Sequence, residues 1–213
     1  MNLIDLVLLV GVAAAAGWGA KKGFIRMIMI TAGLVGAIVI AVHHNDFFSR
    51  ELAAYFQASP LWVSMIAFVL SSMVLFALFR FAAKMFFRVA SVQQLGHRDH
   101  FGGAIVGVVF GWIMMGYLVF LVLFLPLPIM VEGQLEGSFL ALRMGASVPF
   151  VYETTARLHP SQDNFVLKME SSLDGALENT PERKGRRSNV RAIDRARVDD
   201  FLDRIDRYFA SGD

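Results

Sequence analysis

The chain has 213 residues, of which 56% are hydrophobic and 18% charged, and its formal net charge is +2. That balance is too apolar for an ordinary soluble domain, in which about a quarter of the residues are charged. Because there is no cysteine, a disulfide framework, a thiolate catalyst and a cysteine metal site are all excluded.

The first apolar run, Leu3 to Ala20, is about the shortest that crosses a hydrocarbon core of roughly 30 Å at 1.5 Å of rise per residue. Its positive charges, Lys21 and Lys22, follow the run rather than precede it, which argues for a retained span and against a cleaved signal peptide. Gly11, Ala15 and Gly19 recur every fourth residue and make one face smooth. Asp5 is the acid inside this predicted span. An ionisable group in lipid is costly and so a functional candidate; the structural alternative is an acid that reaches the headgroups or caps the helix N-terminus.

Only Lys-Lys-Gly separates the first run from the second, Phe24 to Val42, so the two are expected to form an antiparallel hairpin. Gly33, Ala37 and Ala41 give the second helix a small face suited to meet that of its neighbour, and Arg26, one turn inside, can snorkel to the headgroups. His43 and His44 close this helix at the membrane level of Asp5. Either one, His43 or His44, paired with Asp5 would relay protons or sense pH. Phe47, Phe48, Leu52, Tyr55 and Phe56 then share one helical face, as in a short helix lying in the interface.

Leu61 to Phe79 is the third run, opening with Trp62 at the depth of an aromatic belt. Its helical pattern continues through Arg80, Lys84 and Arg88, a basic stripe that suits anionic headgroups at about 1 kcal/mol per charge and is equally explained by ordinary anchoring. The fourth run, Asp99 to Leu125, carries no charge from position 101 onward. Asp99, Gly103, Gly107 and Gly111 fall four apart, a ladder that lets helix backbones approach closely. The first, second and fourth helices are therefore expected to touch through their small faces.

Lys21, Lys22, Arg26, Arg80, Lys84, Arg88 and Arg98 lie in the two connections that share one side. That side is read as cytoplasmic and both termini as periplasmic, although the tail from Arg183 to Arg197 is also basic. Pro126 and Pro128 end the fourth span. The expected organisation is an all-α, polytopic four-transmembrane-helix bundle over 1–130 and a polar, partly helical extension over 131–180. A flexible basic linker over 181–191 and an amphipathic helix over 192–210 follow, with part of this extension disordered. In the last helix Val198, Phe201, Leu202, Ile205, Tyr208 and Phe209 form an apolar face interrupted by Asp199, Asp203 and Asp206. A helix of this length is marginal alone in water, so it is expected to dock on an envelope protein partner, with a membrane-surface anchor as the alternative.

His43, His44, His97, His100 and His159 do not group into a metal site, and His97 with His100 has Asp99 alone as a third ligand. No nucleotide loop, nucleophile elbow or zinc-protease motif is present, so no cofactor is expected. The arginine-rich linker lacks a folded basic face with aromatics and does not indicate nucleic acid.

The hairpin turn K-G-F-I-R (Lys22, Gly23, Phe24, Ile25, Arg26), the acid Asp5, the Asp99-Gly103-Gly107-Gly111 ladder and the proline exit with a polar stretch containing Ser138 together resemble the CvpA family, the colicin V production proteins. The resemblance covers roughly residues 1–145. It implies a protein of the bacterial inner membrane, required for making or exporting colicin V and linked to cell-envelope maintenance; the favoured reading is a non-enzymatic accessory in contact with membrane lipids, with self-association a further expectation. Met27, His100 and Phe110 depart from the pattern at positions where similar chains carry other charges, with Arg98 as a substitute partner for the acid. The alternative reading is a small oligomeric channel or transporter lined by Asp5, the histidines, Ser64, Ser71 and Ser72.

Overall fold

The computed structural model describes residues 2–55, 59–90, 97–123, 134–135, 137–155, 165–179 and 187–205, and every regular element among them is helical. Four of these helices are long and apolar enough to cross a membrane: α1 (Leu3–Lys22), α2 (Phe24–His43), α4 (Pro60–Ala90) and α5 (His97–Leu123). Between α2 and α4 lies α3 (Asn45–Tyr55), and α5 is followed by α6 (Ala141–Gly145), α7 (Ser147–Thr154), α8 (Phe165–Asn179) and α9 (Arg187–Ile205). The protein is an all-α, four-span membrane bundle with a helical extension.

A capping box starts α1: the Asn2 side chain accepts from Leu3 N (2.8 Å), and Asn2 N donates to Asp5 Oδ2 (3.2 Å). At the other end Gly23, with φ 84°, occupies the left-handed region that a residue without Cβ enters at no steric cost. It closes α1 by donating to Gly19 O (3.0 Å), and α2 begins at the next residue.

The two helices of this hairpin nevertheless have few contacts with each other, and α1 packs along α5. Gly19 faces Gly103 and Gly107, Gly107 lies against Ala15 and Ala16, and Gly111 against Val12 and Ala15. The expected meeting of the α1 and α2 small faces is thus corrected. The ladder of α5 offers backbone along three turns, so it takes the smooth face of α1 entirely. Gly33 and Gly36 instead receive the Phe79 side chain of α4, and Ala37 and Ala41 are buried in the core. The outer face of α1, with Leu3, Leu6, Val7 and Val10, is exposed apolar surface, as suits a helix facing lipid.

Met27, Leu34 and Ile38 of α2, Phe68 of α4 and Phe110 and Phe120 of α5 form a core that continues through Val148, Tyr152, Phe165, Met169 and Leu173 to Val198 and Phe201. Met27 and Phe110, two of the departures from the family pattern, are core residues here; Phe110 packs on Trp18 (5.6 Å between centroids) and Phe76 (6.5 Å).

The extension is thus part of the bundle. Gly116, seven residues inside the end of α5 or about 10 Å along it, carries the backbone of Met144 and the Ser147 side chain. On α3 the aromatic residues Phe47, Phe48 and Tyr55 are exposed and the small polar side is buried against α8. There Asn45 Nδ2 donates to Ser64 Oγ (2.9 Å) and Ser172 Oγ (2.7 Å), Ser49 Oγ donates to Ser172 O (3.1 Å), and Lys168 pairs with Asp46 (3.4 Å).

The last helix also differs from expectation. It starts at Arg187, within the stretch read as a linker, and packs on α8 and α4. Val198 and Phe201 are buried in the chain's own core, so the described part of this apolar face is covered within the chain. Pro126, Pro128, the 181–186 part of the linker, Phe56, His159, Tyr208 and Phe209 lie outside the described residues.

Candidate functional site

At the start of α1, Asp5 is only 3% exposed. Its Oδ1 accepts from Ser138 Oγ (2.5 Å) and Leu140 N (3.0 Å), and Ser138 Oγ in turn accepts from Ala141 N (3.0 Å). Asn2 Nδ2 donates to Gln134 O (2.7 Å) alongside. The carboxylate thus meets three amide or hydroxyl donors and holds the segment before α6 against the first turn of α1. The Asp5–His43 pair does not appear in this geometry: among the described residues the acid's partners are Asn2, Ser138 and Leu140, while the His43 ring packs edge-on against His44 (4.8 Å). Ser138 lies 133 positions away, a pairing invisible to local patterns.

At the opposite end of α1, the first turn of α5 clasps the hairpin. Asp99 Oδ1 accepts from Phe24 N (2.8 Å), one of the amides that the N-terminus of α2 leaves without a helical partner. His100 Nδ1 lies 2.7 Å from Ala20 O, and since a carbonyl only accepts, this nitrogen carries the proton. Two adjacent side chains therefore cap the end of one helix and the start of the next. The Asp99 carboxylate also occupies the space beside Gly23 that a Cβ would need. Gly103 and Gly107 bring α5 close enough for this reach. The side chains of His97 and Arg98 are outside the described residues.

Next to the clasp is an open cavity of about 590 Å³ lined by Lys22, Arg26, Ile30, Arg80, Phe81, Ala83, Lys84, Phe87 and Arg88. Five of these are cations, from α1, α2 and α4, and none is an acid. Three of the charged ends rest on rings: Arg80 over Trp18 (5.6 Å) and Phe76 (5.9 Å), Lys22 over Trp18 (5.6 Å), and Arg26 over Phe87 (5.4 Å). The basic stripe Arg80, Lys84 and Arg88 is therefore one wall of a cavity, and Lys22 and Arg26 complete it. Lys22 was legible only as one of the charges sharing a side with the stripe. A second cavity, about 550 Å³, is lined by Val108, Val109, Trp112, Ile113, Phe150 and Val151 with Arg143 and Ser147, and is almost wholly apolar.

The serines read as pathway candidates are engaged. Ser71 Oγ donates to Phe68 O (3.1 Å), Ser72 Oγ bonds Tyr117 Oη (2.6 Å), and Ser64 accepts from Asn45. Among the described residues no group of three His, Asp or Glu side chains could hold a metal ion.

Residues 4–149 match the family described as colicin V production protein. No curated protein and no solved structure matches the chain.

Proposed function

The chain belongs to the colicin V production protein family, and from that membership we propose that it is a non-enzymatic accessory of the bacterial inner membrane, serving production or export of a colicin V-type toxin and upkeep of the cell envelope. The observation that carries this reading is the extent of the match, which takes in all four spans, the Asp5–Ser138 knot and the Asp99 clasp. The internal chemistry supports an accessory over a pathway. The polar side chains that would line a conduit, Asp5, Ser64, Ser71 and Ser72, have their bonding capacity directed at helix caps, the Asn45 amide, backbone carbonyls and Tyr117. In this reading the Lys22–Arg88 side faces the cytoplasm and both termini, with α3 and α6 to α9, the periplasm.

The test has two arms. Deleting the chain from a toxin-producing strain should lower secreted toxin, and the wild-type chain should restore it. Purified protein in liposomes should pass no ions or small solutes above protein-free vesicles. Flux abolished by Ser72→Ala, or normal secretion after deletion, would overturn the assignment.

A further inference from the structure

The cavity between the α1–α2 turn and the end of α4 holds five cations with no carboxylate among its lining residues. Among the described residues, none of the five is ion-paired. Like charges gathered in one concave site, beside low-dielectric walls, produce a strong local attraction for an anion. We propose that this cavity binds the phosphate headgroup of a membrane lipid, and that it favours a doubly charged phosphomonoester or diphosphate head over a singly charged phosphodiester.

The cavity lies at the depth of lipid headgroups. Arg80 lies twenty residues after Pro60 in α4, about 30 Å of rise, so it sits where a span starting at Pro60 reaches the far surface of the hydrocarbon core. Lys22 and Arg26 flank the hairpin turn at that same surface. The ligand is therefore at headgroup depth: Ile30, one turn deeper than Arg26, adjoins the chains of a lipid, and Phe81, Ala83 and Phe87 line the cavity from Arg80 outward.

Arg80 is also pre-organised for an anion. Trp18 and Phe76, on which Arg80 rests, both pack against the buried Phe110. The guanidinium face is thereby held while its N–H groups stay available for phosphate oxygens, to which arginine binds in a two-pronged manner. Count decides the preference. A phosphodiester brings one negative charge, whereas a phosphomonoester near neutral pH approaches two, a closer match to five cations.

The full-length protein bearing Trp62→Phe and Trp112→Phe, which leaves Trp18 as its single tryptophan, is placed in phosphatidylcholine nanodiscs. It is then titrated with phosphatidic acid or phosphatidylglycerol carrying brominated acyl chains. Saturable quenching of Trp18 by phosphatidic acid at lower mole fraction than by phosphatidylglycerol, weakened by added salt, is expected. Lys84→Gln and Arg88→Gln alter exposed side chains and should each weaken it about fivefold, while Lys84→Arg should retain it. Equal quenching by brominated phosphatidylcholine, equal response to the two anionic lipids, or no effect of the glutamine variants would overturn the proposal. Displacement of the brominated lipid by inorganic phosphate as effectively as by unlabelled phosphatidic acid would reassign the cavity to a soluble phosphate and equally overturn it.

Discussion

Replacing Gly107 by Ala adds one methyl group at the α1–α5 crossing. A Cβ there would lie 2.6 Å from Ala15 O, 2.9 Å from Ala16 Cα and 3.2 Å from Gly19 Cα. These are backbone atoms, which no rotamer change can move aside, so α1 has to retreat by close to an ångström to regain ordinary contact. A radial gap of that size forfeits about a quarter to a half of the dispersion attraction of the atoms that separate, and lipid provides no compensating hydrophobic drive between helices. Overpacking of this kind costs about 1–3 kcal/mol. Two glycines of the same helix pair serve as internal standards. At Gly17 a Cβ has no neighbour within 4 Å, and at Gly11 it meets only the flexible end of Met115. Gly17→Ala should be neutral or mildly stabilising through helix propensity, and Gly11→Ala should cost less than Gly107→Ala. Thermal unfolding of the purified variants in one detergent, followed by loss of the monodisperse peak on size exclusion, gives the ranking. Equal melting of Gly107→Ala and Gly17→Ala would refute backbone contact as what holds α1 on α5.

Asp5→Leu removes the acceptor for Ser138 and Leu140 and should destabilise by about 1–3 kcal/mol, whereas Asp5→Asn keeps a side-chain oxygen and should lose less; equal losses, measured by thermal unfolding, would contradict the capping role. Phe201→Ser opens the buried end of α9 and should release a C-terminal fragment to limited proteolysis, while Ile193→Ser, at an exposed position, should leave the digestion pattern unchanged. With no native cysteine, single cysteines report topology directly. Glu51→Cys should react with an impermeant maleimide in intact cells and Gln93→Cys should not, and the reverse pattern would invert the orientation. Ser49 is unsuitable for this purpose because it is buried against Ser172.

Composition and periodicity alone determined that this chain is a four-span helical bundle and where its spans lie. Runs near 20 apolar residues admit no other structure in lipid, where each backbone polar group has to be satisfied within its own helix. The same local signals marked Gly103, Gly107 and Gly111 as a packing ladder, and grouped Lys22 and Arg26 with Arg80, Lys84 and Arg88 on one side. They did not say which smooth face the ladder would take, because α1 and α2 both offered one and the short turn between these two favoured their pairing with each other. Only the tertiary structure decided for α1, once Gly23 had turned the chain and Asp99 and His100 had reached back across about 75 to 80 positions to cap both sides of the turn. The same holds for Asp5 with Ser138 and for Phe201 with the bundle core. A hydrogen-bond donor or an apolar groove supplied from more than a hundred residues away leaves no periodic trace, so an isolated acid and an amphipathic helix read as sites awaiting a partner until the fold supplies one from the same chain.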